Sequence, residues 1–260
     1  MFLIKLGGSI ITDKAKKYAF KEEIMDRLSS EIKKADKEII LVHGAGSFGH
    51  ILAKQHSLNQ GYKDDTQLQG FSDTHAMVQQ LNSLVLTSLH NQDIAAVSIP
   101  PHAILQLDDH KPSKMDYNIF KEYLNKGFTP VTFGDVVLDK TLGFSICSGD
   151  LLMQMLAEYF NPEKVLFVLD EDGIYTSNPK TDKNAEFIEK ATIHELENLT
   201  TSADDHADVT KGMQGKIETI KNISRLGIDT ILLNGNINNR LYDTLVGRKT
   251  KNTLVHGEKR

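Results

Sequence analysis

Residues 39–50 read Ile39-Ile40-Leu41-Val42-His43-Gly44-Ala45-Gly46-Ser47-Phe48-Gly49-His50, and the fold is decided by how this stretch is read. The apolar, mostly β-branched run from Ile39 to Val42 predicts a short buried strand. Gly44, Gly46 and Gly49 then turn the chain, and Phe48, Ile51 and Leu52 open an amphipathic helix. A glycine loop between a strand end and a helix start leaves backbone N–H groups unpaired and adds the positive end of the helix dipole. Phosphates bind readily at such a place. His50 stands just behind the loop, where it can add a side-chain donor.

Gly44 to Gly49 also satisfies G-x-G-x-x-G, the dinucleotide fingerprint. That reading needs a second strand ending in an acidic residue about 20 positions on. Asp64 and Asp65 lie near that spacing, but the preceding His56 to Lys63 contains no strand-like apolar run. A Walker A loop is ruled out because His50 and Ile51 stand where Lys and Ser/Thr are required. A tight turn that binds nothing explains the stretch equally well until the rest of the chain is considered.

The chain has 260 residues, enough for one large α/β domain or two smaller ones. A net charge of −5 offers no basic field for nucleic acid or an anionic membrane, so neither is an expected partner. Arg occurs only at 27, 225, 240, 248 and 260, which leaves phosphate binding mainly to Lys and backbone. Cys147 is the only cysteine, so no internal disulfide forms and a cysteine-based zinc site is not expected. The opening MFLIKLGGS has no long apolar core and no apolar run approaches membrane-spanning length, so the expected compartment is the cytoplasm.

The first strand, Phe2 to Leu6, runs into Gly7-Gly8-Ser9 with Lys5 near its end, a second strand-to-glycine-loop transition. After Lys14, Lys16 and Lys17, apolar residues at 24, 28, 32 and 35 predict a helix over Phe20–Ala35. A long helical pattern follows through Leu68, Phe71, Val78, Leu81, Val85 and Leu89. Strands are predicted at Ile94–Ile99, Pro130–Leu138, Phe144–Cys147, Val165–Leu169 and Thr230–Leu233. Helices are predicted at Asp116–Asn125, Asp150–Phe160, Lys211–Arg225 and Asn238–Val246. Alternating strands and helices imply an α/β fold, an open, mostly parallel sheet with helices on both faces. Such sheets bind ligands at the carboxyl ends of their strands, where both glycine loops should lie together. There is no internal repeat and no low-complexity linker, only a polar loop from Ser177 to Glu186.

Three clusters in the second half carry chemistry. Ser148-Gly149-Asp150 precedes a helix and offers another anion-binding N-terminus. The strand ending at Leu169 leads to Asp170, Asp172, Gly173 and Tyr175, where the carboxylates suit Mg²⁺ or its waters, hold Lys side chains, or simply cap a turn. Asp208-Val209-Thr210-Lys211-Gly212-Met213 leads into a helix with Lys216 one turn in.

Taken in order, Lys5-Leu6-Gly7-Gly8-Ser9, the loop at 42–50, the DEDGIYTSNP run and the TKGM…K helix start resemble the amino acid kinase family over nearly the whole chain. The resemblance implies an αβα sandwich forming one domain over 1–260. Its acceptor-binding N-terminal lobe would span 1 to about 160 and its nucleotide-binding C-terminal lobe the remainder. Within the family, HGAGSFGH and the SGD at 148–150 resemble the branch that moves the γ-phosphoryl of ATP onto isopentenyl phosphate. That branch implies ATP and Mg²⁺ as cofactors and a homodimer.

Carried over by position, the resemblance places Lys5, Leu6, Gly7, Gly8, Ser9, Gly46, Asp170, Tyr175, Gly212 and Lys216 on ATP. It places Ala45, Gly49, His50 and Gly149 on the acceptor, and Lys14 on the transferring group, with Lys5, Lys14, His50 and Lys216 as the catalytic set. No side chain is implied as a direct metal ligand. Lys211 departs from the family, which has glycine there, and its role stays open. Met77 and Leu81 are candidates to line a pocket for an isopentenyl tail.

The residue types suit this chemistry independently. Transfer to a phosphate acceptor needs charge neutralisation and in-line positioning rather than a general base, and no Ser–His or Asp–His relay is apparent. A fosfomycin-type kinase of the same fold, with a small polar phosphonate acceptor, is the nearest alternative. A nucleotide-sensing protein without turnover is the alternative from another class.

Overall fold

The computed structural model describes residues 1–177, 179–197 and 212–258. Strand β1 (Phe2–Leu6) leads through a single turn, α1 (Gly8–Ile11), and helix α2 (Glu22–Ala35) to β2 (Ile39–His43). Helices α3 (Gly46–Gln55) and α4 (Thr66–His90) precede β3 (Ala96–Ser98). The chain then makes α5 (Pro101–Ile104), the hairpin β4 (Leu105–Asp108) and β5 (Lys111–Met115), and α6 (Asn118–Asn125) before β6 (Thr129–Phe133). After β7 (Asp135–Asp139) and β8 (Gly143–Cys147), helix α7 (Gly149–Phe160) returns to β9 (Lys164–Leu169). The last part comprises β10 (Ile174–Tyr175), β11 (Phe187–Ile188), β12 (Lys190–Ala191), α8 (Ile193–Glu197), α9 (Gly212–Arg225), β13 (Thr230–Asn234), α10 (Arg240–Leu245) and β14 (Thr253–Val255).

The main sheet has the order β12-β14-β13-β9-β1-β2-β6-β3. The six strands from β13 to β3 are parallel, and β14 runs against β13. Apolar residues on both faces explain the unbroken hydrophobic runs of the central strands. The two faces alternate as strand geometry requires. Phe2, Ile4, Leu6, Ile39, Leu41, Leu166 and Val168 pack with Leu28 of α2, Leu81 of α4 and Leu241 of α10. Leu3, Ile40, Val42, Val165 and Phe167 pack with Leu152 and Leu156 of α7 and Ile220 of α9. Each such side chain, fully buried, contributes roughly 1.5–3 kcal/mol. By the same alternation Lys5 shares the face of Leu3, and so points to the α7 side.

From β1 the chain adds β2 on one flank, and later adds β9 on the other. This reversal leaves a crevice beyond the carboxyl ends of β1, β2 and β9, where open α/β sheets bind ligands.

The predicted strand Pro130–Leu138 is two strands in two sheets. β6 ends at Phe133, and β7 belongs to a second sheet of order β5-β4-β7-β8. Gly134 makes the break: its N–H donates to the His43 carbonyl at 3.1 Å, and a Cβ there would lie 2.9 Å from the Gly149 nitrogen. Both halves are buried, so the apolar run shows no seam. Strand β5, Lys-Pro-Ser-Lys-Met, is exposed and polar, and carries no periodic signal. The polar loop from Ser177 to Glu186 lies in the β10–β11 connection, where Thr176 N–H donates to the Glu186 carbonyl at 2.9 Å. No strand precedes Asp64 and Asp65; Asp64 instead accepts the Thr66 N–H at 3.0 Å where α4 opens, which removes the dinucleotide reading. No described helix is long and apolar enough to cross a membrane.

Candidate active site

The two glycine loops hang from neighbouring strands and touch through their backbones. Gly7 N–H donates to the Val168 carbonyl at 2.9 Å, and Gly44 N–H to the Leu6 carbonyl at 3.0 Å. A Cβ built on Gly8 would lie 2.7 Å from the Gly46 Cα, so both loops share one sheet edge, as expected. Thr12 ties them together: its hydroxyl donates to the Gly8 carbonyl at 2.7 Å and accepts the Ser47 N–H at 3.0 Å. Gly46 has φ of +51°, and a side chain there would meet Thr12 Oγ1 at 2.3 Å. The glycines are therefore required by loop–loop contact before any ligand is considered.

The first backbone bond of α1 runs from Ile10 N–H to the Gly7 carbonyl at 2.9 Å, so the N–H groups of Gly8 and Ser9 head that turn. At α7, the Ser148 hydroxyl accepts the Leu151 N–H at 3.1 Å, and Gly149 and Asp150 head the helix. Gly49 is different: its N–H is directed to the Ala45 carbonyl at 3.2 Å. A Cβ on Gly49 would lie 2.8 Å from Val78 Cγ2, so this glycine lets α3 approach α4 rather than presenting a donor to a ligand.

Between the loops lies an ion pair, Lys5 Nζ to Asp150 Oδ1 at 2.5 Å, with both side chains almost fully buried. Burial works to raise the Asp150 carboxyl. The charges of Lys5 and Lys216, the Lys5 hydrogen bond and His50 outweigh it and hold the group below the usual carboxylate range. Asp170 accepts the Ser9 hydroxyl at 2.9 Å and faces Lys180 at 3.2 Å, while Glu171 meets Lys180 at 2.9 Å. Burial opposes ionisation of Asp170 too, and Ser9, Lys180 and Lys14 together hold its pKa below the usual carboxylate range. Asp172 holds Arg240 at 2.5 Å and Lys251 at 2.6 Å. Of the uses the sequence left open for these aspartates, the structure shows them holding cations.

Lys5, Gly7, Gly8, Ser9, Lys14, Ala45, Gly46, Gly49, His50, Gly149, Asp170 and Lys216 all line one cavity of about 420 Å³. The lysines and loop amides share this lining with the apolar side chains of Ile51, Ala53, Val78, Val136 and Ile146. Leu6 lies elsewhere, fully buried among the α2-side core, and acts through its carbonyl on Gly44. Tyr175 packs edge-on against Phe187 with ring centroids 5.4 Å apart, away from the lining. Gly212 is the first described residue of α9, and Lys211 and residues 208–210 lie outside the described residues. Met77 and Leu81 do not line the cavity; Leu81 is fully buried in the core, and Val78 faces the space instead. Sequence reasoning did not single out Asp150, Thr12 or Glu171 as site residues. An acidic residue in a first helical turn reads as a helix-dipole partner, and nothing local in Thr12 signals a second loop.

A family model, the amino acid kinase family, matches residues 1–234, and the chain belongs to that family. Isopentenyl phosphate kinase of Methanothermobacter thermautotrophicus is 34% identical over 267 residues, covering 99% of this chain and 100% of its own. A solved structure described as an X-ray structure of isopentenyl phosphate kinase superposes with a TM-score of 0.86 at 32% identity, covering 98% of this chain and 99% of that one. The product complex of the Thermoplasma acidophilum isopentenyl phosphate kinase superposes with a TM-score of 0.83 at 26% identity, covering 98% of this chain and 100% of that one.

Proposed function

We propose that this chain is an ATP-dependent kinase that phosphorylates isopentenyl phosphate to isopentenyl diphosphate for isoprenoid synthesis. The observation that carries this reading is one cavity lined both by lysines and loop amides and by a set of apolar side chains. An acceptor with a phosphate head and a short hydrocarbon tail complements both. A small polar phosphonate would leave the apolar set without a partner.

An oxygen of the acceptor phosphate attacks the γ-phosphorus, the bond from that phosphorus to the ADP oxygen breaks, and no proton needs to move. A phosphate monoester loses its second proton near pH ~6, so the nucleophile is already ionised at neutral pH. The protein's task is to neutralise and align charge. In this reading Lys5, Gly8, Ser9 and Lys216 hold the ATP phosphates, and Lys14 steadies the transferring group. His50, the amide of Ala45, and Gly149 grip the acceptor, while the Gly46 amide faces the ATP phosphates. The nucleotide occupies the C-terminal lobe, from about residue 161 onward, and the acceptor the N-terminal lobe. Magnesium usually binds through phosphates, waters and one or two carboxylates. Asp170 and Glu171, at the cavity wall, are the carboxylates suited to that role, and the metal would offset triphosphate charge. The same reading takes the chain as a cytoplasmic homodimer.

The test is a panel of phosphate and phosphonate acceptors with ATP and Mg²⁺, following ADP release. Isopentenyl phosphate should give the highest kcat/KM. Preference for fosfomycin, or no turnover with any acceptor, would overturn the assignment.

A further inference from the structure

At the wall of the cavity, where Asp135 is a lining residue, three side chains from three elements converge: His75 of α4, His102 of α5, and Asp135 at the start of β7. The Asp135 side chain is fully buried. Its Oδ1 accepts the Val136 N–H at 2.8 Å. Its Oδ2 faces His75 Nδ1 at 2.8 Å and His102 Nδ1 at 3.8 Å. One carboxylate oxygen thus looks at two imidazole nitrogens.

A histidine–carboxylate ion pair accounts for His75 and Asp135 alone. It leaves the second imidazole unexplained. The two rings stand edge-on with centroids 4.1 Å apart, and no hydrogen bond joins His102 to any described residue. Two protonated imidazoles at that separation repel. His102 Nδ1 nevertheless stands beside the same buried carboxylate oxygen that His75 meets. Such a constellation is completed by one dication in place of one proton.

We infer that His75, His102 and Asp135 form a binding site for a single transition-metal dication of the zinc class, separate from any magnesium that accompanies ATP. The donor atoms all lie within 4.8 Å of one another. A tetrahedral ion with ligands at about 2.0–2.2 Å needs them roughly 3.5 Å apart, a shift that ring rotation supplies. Two imidazoles and one carboxylate suit zinc, cobalt or nickel better than magnesium, which prefers oxygen. The fourth position opens on the side of His102, whose side chain is 38% exposed. Metal binding here fastens α4 to the segment that carries Asp135. The inference does not depend on which acceptor the kinase uses.

The test titrates the full chain, stripped with EDTA and then freed of chelator, with Zn²⁺ or Co²⁺ alone at neutral pH. Wild type should take up one more tight equivalent than His102→Ala, and Co²⁺ should give visible ligand-field bands that this variant lacks. Loss of one ligand should weaken binding at least about tenfold, since even outer-shell partners of metal ligands are worth 10–100-fold. His102 is exposed, so its replacement should leave the circular dichroism and kinase activity unchanged. Asp135→Asn serves as a second variant where it folds. Equal stoichiometry and affinity in wild type and His102→Ala, or no tight equivalent in wild type, would overturn the site.

Discussion

Two side chains at the cavity mouth carry the sharpest expectations. His50 lines the cavity one turn into α3, and in the proposed reading its ring N–H donates to the acceptor phosphate. Hydrogen bonds to charged groups are worth roughly 1.5–3 kcal/mol, or about one to two decades in kcat/KM. His50→Ala should lose that much with isopentenyl phosphate, while the Kd for ATP hardly changes. His50→Gln keeps an N–H that does not titrate, and should recover part of the loss. Separate binding measurements for ATP and acceptor decide the point; a collapse of ATP binding with the acceptor intact would mean the two phosphate sites are exchanged. Lys14 is exposed in the segment after the first glycine turn and still lines the cavity. An interaction made mainly in the transition state lowers kcat and kcat/KM together. Lys14→Ala should therefore lower kcat with a much smaller change in either KM, and steady-state kinetics retaining full turnover would reduce Lys14 to a surface charge.

The paired glycine loops act as one element because Thr12 and the close backbones of Gly8 and Gly46 join them. Gly46→Ala forces a side chain into the left-handed region, costing about 1–2 kcal/mol, and drives its Cβ into Thr12. The variant should unfold at a lower temperature and bind both substrates more weakly, since one loop cannot shift without the other. Thr12→Ala removes the atoms that the new Cβ would strike, so the double variant should be more stable than the sum of the singles predicts. Thermal unfolding of the four proteins tests this coupling, and strict additivity would show that the loops move independently. The same scale shows where local patterns mislead. Pro130 to Leu138 carries one apolar run, yet Gly134 bends it from the main sheet into the second. Periodicity reports burial, and burial is continuous across the bend.

For the molecule as a whole, acid sensitivity begins with a group the kinase chemistry does not use. His43 at the end of β2 is fully buried, stacks on Phe133 and pairs with Asn82 at 3.2 Å. Burial lowers its pKa from 6.5 to about 4, against the weaker pull of its hydrogen bonds to Gly44 and Asn82. The unfolded chain therefore binds the extra proton first, and stability rises with pH between those two values. A shift of this size corresponds to roughly 3 kcal/mol, lost as pH falls through that window. Asp150 and Asp170, both with lowered pKa, add a further loss at still lower pH, where their folded forms take up protons. Urea unfolding across this pH range should show the first decline in wild type and a flatter one in His43→Gln. An equal slope in both would assign the decline to other groups.

The class of fold and the glycine-loop and lysine part of the cavity lining were legible in the chain itself. Strand runs, helix periods and glycines at strand ends are local properties, set by side-chain alternation and backbone freedom within a few residues. The order in which strands assemble is not local, and what depended on it became visible only in three dimensions. Lys5 meets Asp150 across 145 positions because strand alternation points it toward α7 and the reversal of the sheet brings α7 over β1. Val78 rather than Met77 or Leu81 faces the cavity because the packing of α3 on α4 at Gly49 sets the rotation of α4. His75, His102 and Asp135 share no motif and no spacing. Their meeting is decided by the bend at Gly134 and the turn of α5, where tertiary packing chooses among conformations that the local sequence leaves equal.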